Sequence, residues 1–178
     1  MSFKKTTFCL ALSLAGLASV MAADGTVNFK GKISDAPCSV SIPSSNQVVD
    51  LGTVPAADLN ASGLKSTAKN FQIDLLNCSA AAKSVTVTFG GSSPAGKDAL
   101  FNISSPDGTA AGTVATNVGI EVADSKGVDI KPNVASSSIT LTPSIASQSL
   151  YFTANYQAYG VATTGDANAT SDFTLTYQ

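Results

Sequence analysis

Leu150-Tyr151-Phe152-Thr153-Ala154-Asn155-Tyr156 places apolar residues at every second position. A period of two puts Leu150, Phe152, Ala154 and Tyr156 on one face of an extended strand and the polar partners on the other. The same alternation recurs at Phe71, Ile73 and Leu75; at Val85, Val87 and Phe89; at Val118, Ile120 and Val122; and at Ile139 and Leu141. Turn formers separate these runs: Gly90-Gly91, Pro94 with Gly96, Pro106-Asp107-Gly108, Asp124-Ser125-Lys126-Gly127, Pro132-Asn133 and Gly165-Asp166. No helical period of comparable length occurs, and Ala56 to Lys69 has room for one short turn only. Short strands at close spacing predict one all-β domain, an antiparallel sandwich of the immunoglobulin type.

Composition narrows the function. The 178-residue chain is 44% hydrophobic and 12% charged, with 10 basic residues, all Lys, against 12 acidic ones. A net charge of -2 without basic runs gives no footprint for nucleic acid. His, Arg and Trp are absent. A Ser-His-Asp arrangement is therefore impossible, the commonest metal ligand is missing, and no guanidinium clamp for phosphate exists. Ser62-Gly63-Leu64-Lys65 has the spacing of a Ser-Lys dyad, but nothing else in the sequence supports one. Asp124 and Asp129 flank Lys126-Gly127 and read as carboxylates solvating a hairpin turn. No catalytic residue, metal or cofactor is assigned.

The N-terminus reads as an address. Lys4 and Lys5 precede an apolar run from Phe8 to Val20, and Val20-Met21-Ala22 supplies a small-x-small cleavage pattern before Ala23. The run is shorter than the roughly 20 residues a bilayer core needs. Residues 1–22 are thus expected to be a signal peptide. Cys9 leaves with it, and Cys38 and Cys78 remain in a chain bound for an oxidising compartment. These two are predicted to form a disulfide, which on the chain-entropy model contributes roughly 4 kcal/mol.

Both ends of the remaining chain read as strands. Val27, Phe29, Gly31 and Ile33 share one face near the start; Phe173, Leu175 and Tyr177 share one before Gln178. Periodicity alone is equally compatible with the first and last strands of a closed sandwich.

The motifs in order resemble bacterial fimbrial subunits (pilins) of the chaperone-usher route, type 1 and P fimbriae among them. The matching stretches are Gly25-Thr-Val-Asn-Phe-Lys-Gly31, Asp35-Ala-Pro-Cys38, Val49-Asp-Leu-Gly52, Phe71-Gln-Ile-Asp-Leu75 before Asn77-Cys78, Asn117-Val-Gly-Ile120 before Asp124, and Phe173-Thr-Leu-Thr-Tyr177. The resemblance implies an incomplete immunoglobulin-like sandwich that lacks its last strand and is completed by a donor strand from another subunit, an instance of recognition by strand addition. It implies a donor segment at 23–37, with Val27, Phe29 and Ile33 as donor side chains and Gly31 where the acceptor groove is shallow, and a pilin domain at 38–178. Phe173, Leu175, Tyr177 and Gln178 would form the groove-edge strand that binds a periplasmic chaperone and then the incoming donor. The implied partners are other copies or related pilins, the chaperone and the outer-membrane usher; the implied destination, reached through the periplasm, is a surface fimbrium supporting adhesion. Only Ala23 to Pro37 precede Cys38, fewer residues than many shaft subunits carry, so a minor or adaptor role competes with the shaft role. A secreted glycan-binding module with Tyr151, Tyr156 and Tyr159 as a stacking face is the alternative from another class.

Overall fold

The computed structural model describes residues 27–28, 37–104 and 114–178. The chain divides into two units, Met1–Ser34 and Asp35–Gln178, and the first contributes only Val27 and Asn28 to the described residues. Among the described residues of the second, seven strands form two antiparallel sheets. One sheet has the order β1 (Ser39–Val40), β2 (Lys69–Leu76), β6 (Ser147–Ala158), β4 (Val118–Asp124); the other has β5 (Ile139–Thr140), β3 (Ser84–Phe89), β7 (Phe173–Tyr177). The alternating runs became strands because each inward set reaches a shared core: Ile73, Leu75, Val85, Val87, Leu150 and Phe152 are almost fully buried. A second apolar cluster, centred on Leu59, Ile103, Val118 and Ala158, also draws in Ile120 and Tyr156. The Tyr156 hydroxyl donates to the Ala167 carbonyl at 2.9 Å, so this ring belongs to the core side of β6.

Local chemistry explains the departures from simple alternation. A four-residue helix, α1 (Ile42–Ser45), was not anticipated; Ser41 caps it by accepting from the Ser44 N–H, and Pro43 sits in its first turn. The 3-10 turn at Ala56–Leu59 falls where one short turn was expected. Asp124 is buried instead of solvating its hairpin. Its Oδ1 accepts from the N–H groups of Lys126 at 2.8 Å and Val128 at 2.9 Å, while Gly127 takes the left-handed conformation at φ 76°. A turn closed by its own side chain leaves little carboxylate for water.

The outer face of the larger sheet carries a polar cluster that the sequence did not reveal. Glu121 on β4 stands directly across from Asn155 on β6, and Lys65 meets it from the segment that bridges to Gln157. Lys65 Nζ lies 2.5 Å from Glu121 Oε1, and Asn155 Nδ2 donates to Glu121 Oε2 at 3.0 Å. Burial pushes the Glu121 carboxyl up, but hydrogen bonds from Lys65 and Asn155 outweigh it and hold the group below its ordinary range. The hydrogen bond to Glu121 likewise raises Lys65, whereas burial and Glu121 raise Asp129.

A pH dependence follows from these directions. Glu121, depressed in the fold, contributes stability that is present above its unfolded value and lost as pH falls through its folded value. Lys65, raised in the fold, contributes below its unfolded value and loses that contribution as pH rises through its folded one. Asp129 is raised, so its protonation opposes part of the acid loss. Lys65→Met, which removes the cation and leaves Glu121 with Asn155 and Asp129, is expected to cost about 1–3 kcal/mol at neutral pH, a figure kept low because the Lys65 side chain is 48% exposed. Urea unfolding at neutral and acid pH checks it: the difference from the parent shrinks in acid, and an equal loss at both would show that the ion pair is not its origin.

Candidate functional site: the open edge of the C-terminal strand

β7 runs antiparallel to β3 in the register Val85 with Tyr177, Val87 with Leu175 and Phe89 with Phe173. Residues directly opposite share a face, so Phe173, Leu175 and Tyr177 point the same way as the buried Val85, Val87 and Phe89. All three nevertheless remain only partly buried, although they pack against the core. Burial of the Tyr177 phenol raises its pKa above the ordinary value.

The hydrogen-bond phase shows which way the backbone faces. Gln178 N–H donates to Ser84 O at 2.9 Å, and Ser84 N–H donates back to Gln178 O at 3.0 Å, which defines a hydrogen-bonded pair at that end. At the other end Gly90 N–H donates to Asp172 O at 2.7 Å. Antiparallel ladders alternate, so residues 172, 174, 176 and 178 direct their N–H and C=O groups to β3. Phe173, Leu175 and Tyr177 direct theirs to the opposite edge, where β7 has no partner strand among the described residues. The same three residues thus present apolar side chains inward and backbone donors and acceptors outward. Lys83 N–H adds a second bond to Gln178 O at 3.0 Å, and Ser171 Oγ donates to Gly90 O at 2.7 Å, fastening both ends of the strand to the β3 side.

A strand with no partner on one side among the described residues, lying over a partly exposed core, is an edge at which another strand can add. Of the four residues read as donors, Val27 is 74% exposed, and Phe29, Gly31 and Ile33 lie outside the described residues. Cys38 and Cys78 are joined in a disulfide and buried at 5% and 4% exposure. The tyrosines of the glycan alternative do not form one platform: Tyr151 is on the outer face of β6 and 57% exposed, whereas Tyr156 is on the inner face. Period-two alternation already places Tyr156 in phase with Leu150 and Phe152, and Tyr151 in the opposite phase.

The family model for fimbrial proteins matches residues 27–178. The chain belongs to the fimbrial protein family. This fimbrial protein is 39% identical over 180 residues to the probable major fimbrial subunit LpfA of Escherichia coli, covering 98% of this chain and 97% of that one. Its fold is similar to the P pilus rod subunit PapA, with a TM-score of 0.66 and 26% identity over 80% of this chain and all of that one. A subunit from the structure of a chaperone-usher pilus, solved in relation to rod uncoiling, gives a TM-score of 0.71 at 25% identity over 90% of this chain and 99% of the other. The family is a structural one, and its surroundings are the bacterial surface fimbrium.

Proposed function

We propose that this fimbrial subunit is polymerised through β7 by donor-strand exchange, and that the observation carrying the reading is the row of outward backbone groups on Phe173, Leu175 and Tyr177 above a core left partly open. In this reading the chain is exported to the periplasm, residues 1–22 are removed, and a chaperone strand occupies the edge first. At the outer-membrane usher the 23–37 segment of the next subunit replaces it. Val27, Phe29 and Ile33 then fill the groove, with Gly31 at its shallow point. Burying three large apolar side chains is worth roughly 5–9 kcal/mol per joint before ladder hydrogen bonds and ordering costs. A joint of that size rivals the stability of a whole domain. Near-complete coverage of a probable major subunit supports the shaft role over an adaptor role.

Gly31→Leu tests the register. A branched side chain at the shallow point is expected to lower the yield of polymer severalfold while periplasmic export of the subunit stays normal, as read by heat-resistant ladders on gels beside fractionation. Parental polymer yield from this variant would sink the assignment of Gly31.

A further inference from the structure

The disulfide lies at the root of the proposed donor segment, and its position in the fold says where tension in a polymer would travel. Cys38 directly follows Pro37, and Cys78 directly precedes the short turn 79–83 that leads into β3, the strand laddered to β7. Ser79 N–H donates to Pro37 O at 2.7 Å, closing the same corner. Between the two cysteines lie β1, α1, the 3-10 turn and β2.

β1 is the weak point of that interval. It has two residues, paired as Ser39 with Leu76 and Val40 with Leu75, followed by a bond from Ser41 N–H to Asp74 O at 2.9 Å. A pull on Cys38 would load these contacts in succession, because the chain enters β1 from that end. Each backbone bond contributes only about 0.5–1.5 kcal/mol net, so contacts opened singly offer little resistance. A covalent link from Cys38 to Cys78 removes β1 from the path altogether.

We infer that the Cys38–Cys78 disulfide is a mechanical shunt: it carries axial tension from the donor segment straight to β3 and its ladder with β7, and keeps residues 39–77 off the load path. This rests on the strand-exchange reading above, which supplies both ends of the path. Ladder pairs from Val85 to Phe89 are then what the load meets first within the subunit, together with the joint itself. The site is also guarded. Both sulfurs are buried, and Gln148 Nε2 lies 3.2 Å from Cys78 Sγ while Gln148 Oε1 accepts from Thr142 N–H at 3.0 Å. A side chain fixed at both ends of its amide covers the sulfur that a reductant would attack.

The test is to stretch single strand-exchanged polymers in an optical trap, oxidised and after reduction, with thiol labelling and mass measurement confirming that both sulfurs are free. Oxidised subunits are expected to show no extension until a joint or the β3–β7 ladder yields. Reduced subunits are expected to yield first at lower force and to release up to the 40-residue separation between the cysteines, about 130–145 Å at 3.3–3.6 Å per residue. Where the covered sulfurs resist the reductant, single subunits with both cysteines and with Cys38→Ser/Cys78→Ser, each closed by a linked donor copy after Gln178, are held by handles at the mature N-terminus and on the donor copy and compared in the same way. First yield at the same force in both redox states overturns the shunt. Failure of oxidised subunits to form strand-exchanged polymer at all overturns the exchange reading, and the shunt with it.

Discussion

A flexibly linked second copy of Gly25 to Ile33 appended after Gln178 is expected to raise the melting temperature by roughly 10–30 °C and to abolish polymerisation. The edge of β7 carries the backbone groups of Phe173, Leu175 and Tyr177 in the phase that a new strand needs, and their side chains sit partly exposed over Val85, Val87 and Phe89. A tethered donor closes that edge in the same molecule. Burial of its three large apolar side chains is worth roughly 5–9 kcal/mol, and a domain of this size gains about 2–4 °C per kcal/mol, less whatever ordering the tether costs. Covering the edge also removes the surface through which copies join. Calorimetry of the extended and parent chains, with the mature N-terminus on both, decides it. An unchanged melting temperature would mean that the sandwich needs no added strand, and the polymerisation reading would fall.

The sheets were legible because the alternation is strict where both sheets bury one face. Phe71, Ile73 and Leu75, and Leu150, Phe152 and Ala154, were named from period two and stand as neighbours across β2 and β6. From periodicity the last strand was legible as a strand but not as an edge, which only the family resemblance implied. Phe173, Leu175 and Tyr177 have the same pattern as a central strand would, and only the hydrogen-bond phase and the sheet order distinguish the two. Other features depend on contacts between distant segments. Glu121 breaks the polar-out rule by being buried, which is possible because Lys65, 56 positions earlier, and Asn155 satisfy its oxygens. Nothing in the neighbourhood of Glu121 in the sequence announces either partner. Asp124 is the opposite case: its partners are two and four residues away, and the Asp-Ser-Lys-Gly turn signature was present, but exposure was assumed for a carboxylate that the turn itself consumes. Helix α1 was missed for lack of length, since four residues carry no period; the Ser41 cap and Pro43 were its available signals.

Phe152→Ala is expected to destabilise the complemented chain by about 3–5 kcal/mol, the usual cost of removing a large buried ring. Phe152 is 1% exposed and stands between the sheets: its ring lies 5.4 Å from Phe71, with an interplanar angle of 30°, and 5.4 Å from Phe89, edge-on. Phe89 in turn lies 6.4 Å from Phe173 on β7, so these rings form a chain from the centre of the core to the edge that receives the donor. Neighbouring rings are too stiff to fill the space left by one of their number, which places the loss at the upper end of core substitutions. Urea unfolding measures it in the complemented form, where an incomplete edge does not confound the baseline. A loss near 1 kcal/mol would show that the sheets close over the gap and that the ring chain is not rigid. The same rigidity implies coupling. Residues in contact do not add independently, so the stabilisation conferred by the linked donor should be smaller in Phe152→Ala than in the parent, because Phe89 and Phe173 lose the support that holds the floor of the groove in place. Equal donor stabilisation in both backgrounds would confine the groove to β7 and β3 and remove the larger sheet from its construction.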